Sequence, residues 1–325
     1  MRHQRGVALI TVMLVFVIIS ILCSQMIRQT QSDIERSRWL LAEAQAYQYA
    51  LGAENLARQL LWQQATEFKT QGITISPIPH LLPVYHPEHG SLSVELVDLQ
   101  GRLNLNDALF KPTHQRPLEN LFSGLLMKPF LASELSDWLD DDLSPRPGGA
   151  EDYSYLNLRP SYRTASNPML APSELVLLAG LTPKELTVTA PYVATLPEGT
   201  GINPNTASAE VLSLLDNRLS GEQIVAFRET SPPGFLSIND FLTANATAGI
   251  ELNTNNLTVT STYYAAKIVA TYGDQEVHLL SRFRLDLEAG TTTLMDRTLG
   301  DDLQVNTRES ENSDQEDEAA ENSLF

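Results

Sequence analysis

An uninterrupted apolar run near the N-terminus, VALITVMLVFVIISILCS, constrains this chain more than any other feature. From Val7 to Ser24 it holds 18 residues without a charge. As a helix it would be about 27 Å long, close to the hydrocarbon thickness of a bilayer. A soluble helix has no use for an apolar surface on every side, so the run is expected to sit in a membrane. The short segment MRHQRG ahead of it carries Arg2 and Arg5. The positive-inside rule puts that end in the cytoplasm and the rest of the chain outside it.

The layout is not that of a secretory signal, where a small-residue processing site follows the apolar region. Here the Gly6-Val7 junction lies ahead of it. The helical pattern also continues: from Gln25 to about Glu67 the chain is rich in Gln, Ala, Leu, Glu and Arg, with no proline and one glycine, Gly52. Ile27, Ile34, Leu41, Ala44, Tyr47, Leu51, Leu56 and Leu60 are expected to form its apolar face. A leader over 1–6 and one helix over 7–67 resemble the pilins. In that family a prepilin peptidase cuts between the residues matching Gly6 and Val7. The apolar segment stays on the mature chain, first as membrane anchor and then as filament core.

One position departs from the pilin pattern. Major pilins and most pseudopilins carry Glu as the fifth mature residue, where it pairs with the N-terminal amine of an adjoining subunit. Counted from Val7, the fifth residue here is Thr11, which cannot supply the charge. Together with the short leader and the segment QAYQYALGAENLA (Gln45–Ala57), this resembles the minor pseudopilin K family of bacterial type II secretion systems. The resemblance runs to about Leu287. It implies a non-enzymatic filament subunit, single-pass in the inner membrane, with its bulk in the periplasm. The implied partners are minor pseudopilins I and J at a pseudopilus tip, the prepilin peptidase and the inner-membrane secretion machinery. The work implied is tip or initiation function in export of folded proteins across the outer membrane. Two other readings stay open at this point: a minor pilin of a type IV pilus or competence system, and a membrane-anchored periplasmic hydrolase.

Beyond the helix, Pro77, Pro79, Pro83 and Pro87 mark a loop. SLSVELVDLQ alternates at Leu92, Val94 and Leu96 and reads as a half-buried strand, with Leu103 and Leu105 suggesting a returning strand after Gly101. A second hairpin is expected from Leu257–Tyr272 and Glu276–Leu287 around Gly273-Asp274. Between them, PFLASELSDWLDDD, SELVLLAGL and SAEVLSLL read as short helices, with Ser173 and Thr206 as candidate caps. The expected fold is α+β and pilin-like: a long N-terminal helix packed on an antiparallel sheet. The sheet is supplied by 68–106 and 257–299, and a mainly helical domain is inserted at 107–256. Such an insertion is a feature of the K family.

The densest chemistry lies in DWLDDDLSPRPGGAEDYSY, Asp137 to Tyr155. Against a twelve-residue calcium loop, Asp140 falls at position 1, Asp142 at 3, Ser144 at 5, the Arg146 carbonyl at 7 and Glu151 at 12. Pro145 stands where that loop needs its glycine, so a true EF-hand is not expected. Six carboxylates crowd the segment (Asp137, Asp140, Asp141, Asp142, Glu151, Asp152), offset by Arg146. Like charges at this density invite a hard cation, solvent or helix N-caps. The resemblance implies calcium in the inserted domain, with Asp140, Asp142, Glu151 and Asp152 as the ligand candidates.

Two further patterns are weaker. Residues 202–245 resemble a helix-hairpin-helix unit, which grips phosphate through a glycine-rich hairpin. The hairpin here, Leu215–Ser220, has no glycine, and the unit carries more acidic than basic residues. A packing or partner-binding role is expected, with no nucleic acid. His80, His86 and His89 cluster in the proline-rich loop but lack a convincing fourth zinc ligand. No P-loop, HExxH or nucleophile-elbow signature is present. The net charge of −18 argues in the same direction on nucleic acid; −8 of it falls in 300–325, an acidic segment expected to be disordered. A single cysteine, Cys23, excludes an intrachain disulfide.

Overall fold

The computed structural model describes residues 4–71, 82–109, 112–230, 234–244, 246–250 and 252–300. The leader's first residues, His80 and the acidic segment from 301 lie outside them. Helix α1, Gln4–Gln71, is continuous. Among the described residues, Leu9 to Leu22 of its apolar third are exposed throughout. By length and composition this helix can cross a membrane.

Among the described residues the helix is buried from Ala46 onward, largely at small side chains. Ala46, Ala50, Ala53, Ala57, Leu61 and Ala65 are its buried face, spaced by three and four. This corrects the expected face. Leu41 is 71% exposed and Leu56 50%, while Ile27, Ile34 and Ala44 are also exposed. Tyr47, Leu51 and Leu60 only flank the contact. A tight helix-sheet approach selects small side chains at its centre, whereas apolar periodicity counts the large ones.

The sheet begins with β1, Gly90–Asp98. The expected return strand does not follow it. Asp98 accepts the backbone N–H of Gln100, and a single 3₁₀ turn, Leu99–Gly101, leads the chain out of the sheet. Leu103–Asn104 (β2) runs parallel to a later two-residue strand, and Leu105 enters another 3₁₀ turn. Both leucines are buried in the helical domain's core.

That domain then adds α2 (Pro112–Leu126), α3 (Leu131–Leu139), α4 (Asp152–Tyr155), α5 (Pro183–Thr189), β3 (Val193–Ala194), α6 (Ala209–Leu215), α7 (Gly221–Thr230) and α8 (Ile238–Thr243). The caps differ from the sequence candidates. Ser208 caps α6, one residue before its first turn, so Thr206 lies too early. Ser173 sits inside the 3₁₀ turn Pro172–Leu177 rather than ahead of it. Thr182 forms a capping box with Glu185 at α5. Phe122, Leu135, Trp138, Tyr155, Leu212, Ile224 and Phe241 are among the buried residues of one core.

The chain returns to the sheet as β4 (Tyr263–Tyr272), β5 (Gln275–Asp286) and β6 (Thr291–Leu299). The order is β1-β4-β5-β6, and every pair is antiparallel. The expected second hairpin is present, with Gly273 in the left-handed region at φ 57°, but it starts at Tyr263 rather than Leu257. Val94, Leu96, Ala266, Ile268, Leu279 and Phe283 bury the face that meets α1. The domain is joined to the sheet by polar bonds. Gln100 donates to the Gly201 carbonyl at 2.8 Å and accepts from the Thr262 N–H at 2.6 Å. Asn203 donates to Ser261, which donates to Asp98 at 2.6 Å.

Candidate metal centre

Helix α3 places the first acidic residues. Its apolar side carries Leu131, Leu135, Trp138 and Leu139 into the core, and this drags Asp137 to complete burial. Asp140 is the helix C-cap. Carboxylates at a helix C-terminus oppose the macrodipole, so this end needs positive charge. The loop supplies some. Arg146 donates from its backbone N–H to Asp137 Oδ2 at 3.1 Å and from Nη1 to Asp137 Oδ1 at 2.7 Å. The same Nη1 also bonds Asp140 Oδ2.

Glycine closes the loop. A Cβ on Gly149 would lie 1.9 Å from Asp137 Oδ2, so only glycine lets the backbone pass over that carboxylate. Gly148 is left-handed at φ +79°. The Arg146 carbonyl, which falls at position 7 of the calcium-loop comparison, accepts from the Gly149 N–H at 2.8 Å, and the residue's side chain is what enters the cluster.

The loop brings one oxygen each of Asp140, Asp142 and Glu151 within 4.8 Å of one another. Glu151 is 3% exposed, and neither of its carboxylate oxygens has a hydrogen-bond partner. Asp140 Oδ1 is likewise buried without a partner. Burial, then the charges of Asp137, Asp140, Asp142 and Asp152, push the Glu151 carboxyl up to about 7. Buried carboxylate oxygens without partners are expensive, and here they belong to two residues of one close group. The donor set is all oxygen, with carboxylates from three residues, and it fits a hard divalent cation of the calcium type.

Asp152 is not brought into this group. Its Oδ1 accepts from the Thr164 N–H and hydroxyl at 3.0 and 2.9 Å, and Oδ2 faces Arg163 at 3.3 Å. Asp142 is exposed and also accepts the Ser144 N–H. Sequence reasoning counted Asp137 in the crowd but gave it no role. Its signal was its position one helical turn before Asp140. The site is backed by Trp138, packed edge-on to Tyr155, whose hydroxyl donates to Glu134 at 3.0 Å.

The other candidates fall elsewhere. Gly6 and Val7 lie within α1, as does Thr11, which is exposed. His86 and His89 stay in the loop before β1, where the His89 carbonyl accepts the Gly273 N–H. In the helix-hairpin-helix-like unit, a Cβ on Gly221 would lie 1.8 Å from the Ala209 carbonyl, so glycine permits the helix contact there. Arg218 pairs with Asp216, and Arg228 donates to the Pro204 and Ala207 carbonyls. Both basic side chains of that unit thus have partners within it, and Arg228 ties its helix to the segment before α6.

Comparison with known proteins follows the same lines. Residues 101–198 and 202–260 match two sequence families, both described as type II secretion system protein K. A relative of that name from Pseudomonas aeruginosa is 32% identical, over 92% of this chain and 94% of its own length. The chain belongs to the type II secretion system protein K family. Another protein K, from Klebsiella pneumoniae, is 33% identical over 66% of this chain and 70% of its own. The fold is also that of a chain in the crystal structure of the GspK-GspI-GspJ complex from enterotoxigenic Escherichia coli. It has a TM-score of 0.64 and 24% identity, covering 79% of this chain and 98% of that one. A protein K built as a long apolar helix on a sheet, with a helical domain between β1 and β4, has the pilin-like α+β architecture expected above.

Proposed function

We propose that this chain is a minor pseudopilin at the tip of a type II secretion pseudopilus. One observation carries the reading: from Leu9 to Leu22 the apolar part of α1 is exposed among the described residues, and the helix continues without a break onto a pilin-like sheet. Such a helix serves as an anchor in the bilayer and as packing surface in a filament. The membrane is the inner membrane, crossed once, with sheet and helical domain in the periplasm. The solved relative assembles with GspI and GspJ, and the corresponding minor pseudopilins I and J are the partners proposed here. The prepilin peptidase would release the leader between Gly6 and Val7. The protein catalyses nothing; its work is to start or cap the filament that expels folded proteins across the outer membrane.

Calcium is part of this reading, held by Asp140, Asp142 and Glu151. Bound there, it would neutralise the Glu151 carboxylate, whose oxygens have no hydrogen-bond partner, and tie the end of α3 to the start of α4. That would stiffen the domain at the filament end. The test is co-purification: tagged full-length protein from detergent-solubilised membranes should retain I and J, and deleting the gene should stop exoprotein release. Recovery without either partner, or normal secretion in the deletion strain, would remove the proposal.

A further inference from the structure

We infer that Arg146 is a built-in counter-cation of the acidic loop, which holds the metal-free form together and sets how much calcium is needed to fill the site. The inference rests on the calcium reading above and deepens it.

The bonding pattern is the argument. Both oxygens of buried Asp137 are satisfied by Arg146, one by its backbone and one by its guanidinium. The same guanidinium holds Asp140 through Oδ2 and leaves Oδ1 buried without a partner. Asp140 is therefore shared: Arg146 binds one of its oxygens, and the same residue belongs to the group formed with Asp142 and Glu151. Arg146 is the cation paired with that group, and its side chain is 37% exposed. A guanidinium bound across two carboxylates supplies fixed positive charge where a divalent ion would supply more. The two charges repel, so calcium must bind against Arg146 as well as toward the carboxylates. Without Arg146 the empty loop would face the mutual repulsion of Asp137, Asp140 and Glu151 alone.

Opposite effects on the two states follow, and they separate this role from simple ligand positioning. Arg146→Gln should lower the melting temperature of the full chain in detergent with chelator present. The same variant should bind calcium at least about tenfold more tightly by calorimetry, as removal of a like charge at contact range requires. Arg146→Lys keeps the charge without the fork. Its calcium affinity should stay near that of the wild type, and it serves if the glutamine variant does not fold. Weaker or unchanged calcium binding by Arg146→Gln would make Arg146 a positioning residue and overturn the inference, as would tightening by Arg146→Lys equal to that of the glutamine change. If the wild type binds no calcium, the metal reading itself falls, a result distinct from either.

Discussion

Glu54 on the long helix and Arg297 on the last strand form a two-point ion pair, with Nε–Oε2 at 2.6 Å and Nη2–Oε1 at 2.7 Å. Ser281 on β5 donates to the same carboxylate at 2.6 Å. Glu54 lies among the buried alanines of α1 and is 6% exposed. The pair fixes which turn of the helix meets β5 and β6, a specification that alanines alone cannot provide.

Glu54→Gln should therefore destabilise the periplasmic part by about 1–3 kcal/mol, a range below that of a fully buried pair because Arg297 is partly exposed. Burial raises the Glu54 carboxyl, but the bonds from Arg297 and Ser281 more than offset it, and the net shift is downward. A lowered carboxylate contributes stability above its unfolded value, near 4.5, that is lost as pH falls through the folded value. Thermal melts from pH 7 to pH 3 should show the wild-type advantage over Glu54→Gln shrinking below about pH 4.5. A constant difference would count against the pair.

Asp107 should behave in the opposite sense. Burial pushes its carboxyl up to about 6, against bonds from the Gly199 N–H and Asn104. The folded state then holds a proton that the unfolded state releases. This contribution favours folding as pH falls from about 6 toward 3.8 and opposes it above. Asp107→Asn keeps an acceptor oxygen and removes the charge. At pH 7 it should be more stable than the wild type by about 1–2 kcal/mol, with the gain vanishing near pH 4. Lower stability at pH 7 would contradict this.

Calcium should raise the melting temperature of the wild-type chain and chelation should lower it, since a ligand bound only to the native state stabilises that state. Asp142→Ala with Glu151→Ala should abolish the response. Asp152→Ala should leave it in place, because Asp152 is committed to Thr164 and Arg163. Identical melts with calcium and with chelator would refute the site.

Processing is expected at Gly6. Replacing it by a bulky residue should leave the leader attached, and N-terminal sequencing of the wild type should begin at Val7. A mature start after Ser24 would mean an ordinary signal peptide.

Thr11 bears on placement. In a filament an incoming amine lies among apolar helices, where an unpaired charge costs on the order of several kcal/mol. A chain with Thr11 has no carboxylate there to offer a neighbour, which suits a subunit with none above it. Thr11→Glu should let the protein enter the shaft, lengthening or shortening pili in electron micrographs. Wild-type protein found along the whole shaft at major-subunit abundance would end the tip assignment.

The sequence by itself determined the features that depend on local composition. Val7–Ser24 reads as a membrane-type helix because it carries no charge on any side, and Gly273-Asp274 reads as a turn between two β-rich runs. The crowd of carboxylates around Asp140 was equally plain. Tertiary structure decided the rest. Leu103 and Leu105 alternate like a strand, yet the 3₁₀ turn after Asp98 sends them into another core, and β4 takes the place beside β1. The buried face of α1 was misread because close packing on a sheet favours Ala46, Ala50, Ala53 and Ala57 over larger neighbours. Spacing could not separate Asp152 from Asp142 and Glu151, since which way a loop carboxylate turns depends on partners such as Thr164 and Arg146. Those partners meet only when the loop is closed over Asp137, and local pattern carries no record of that closure.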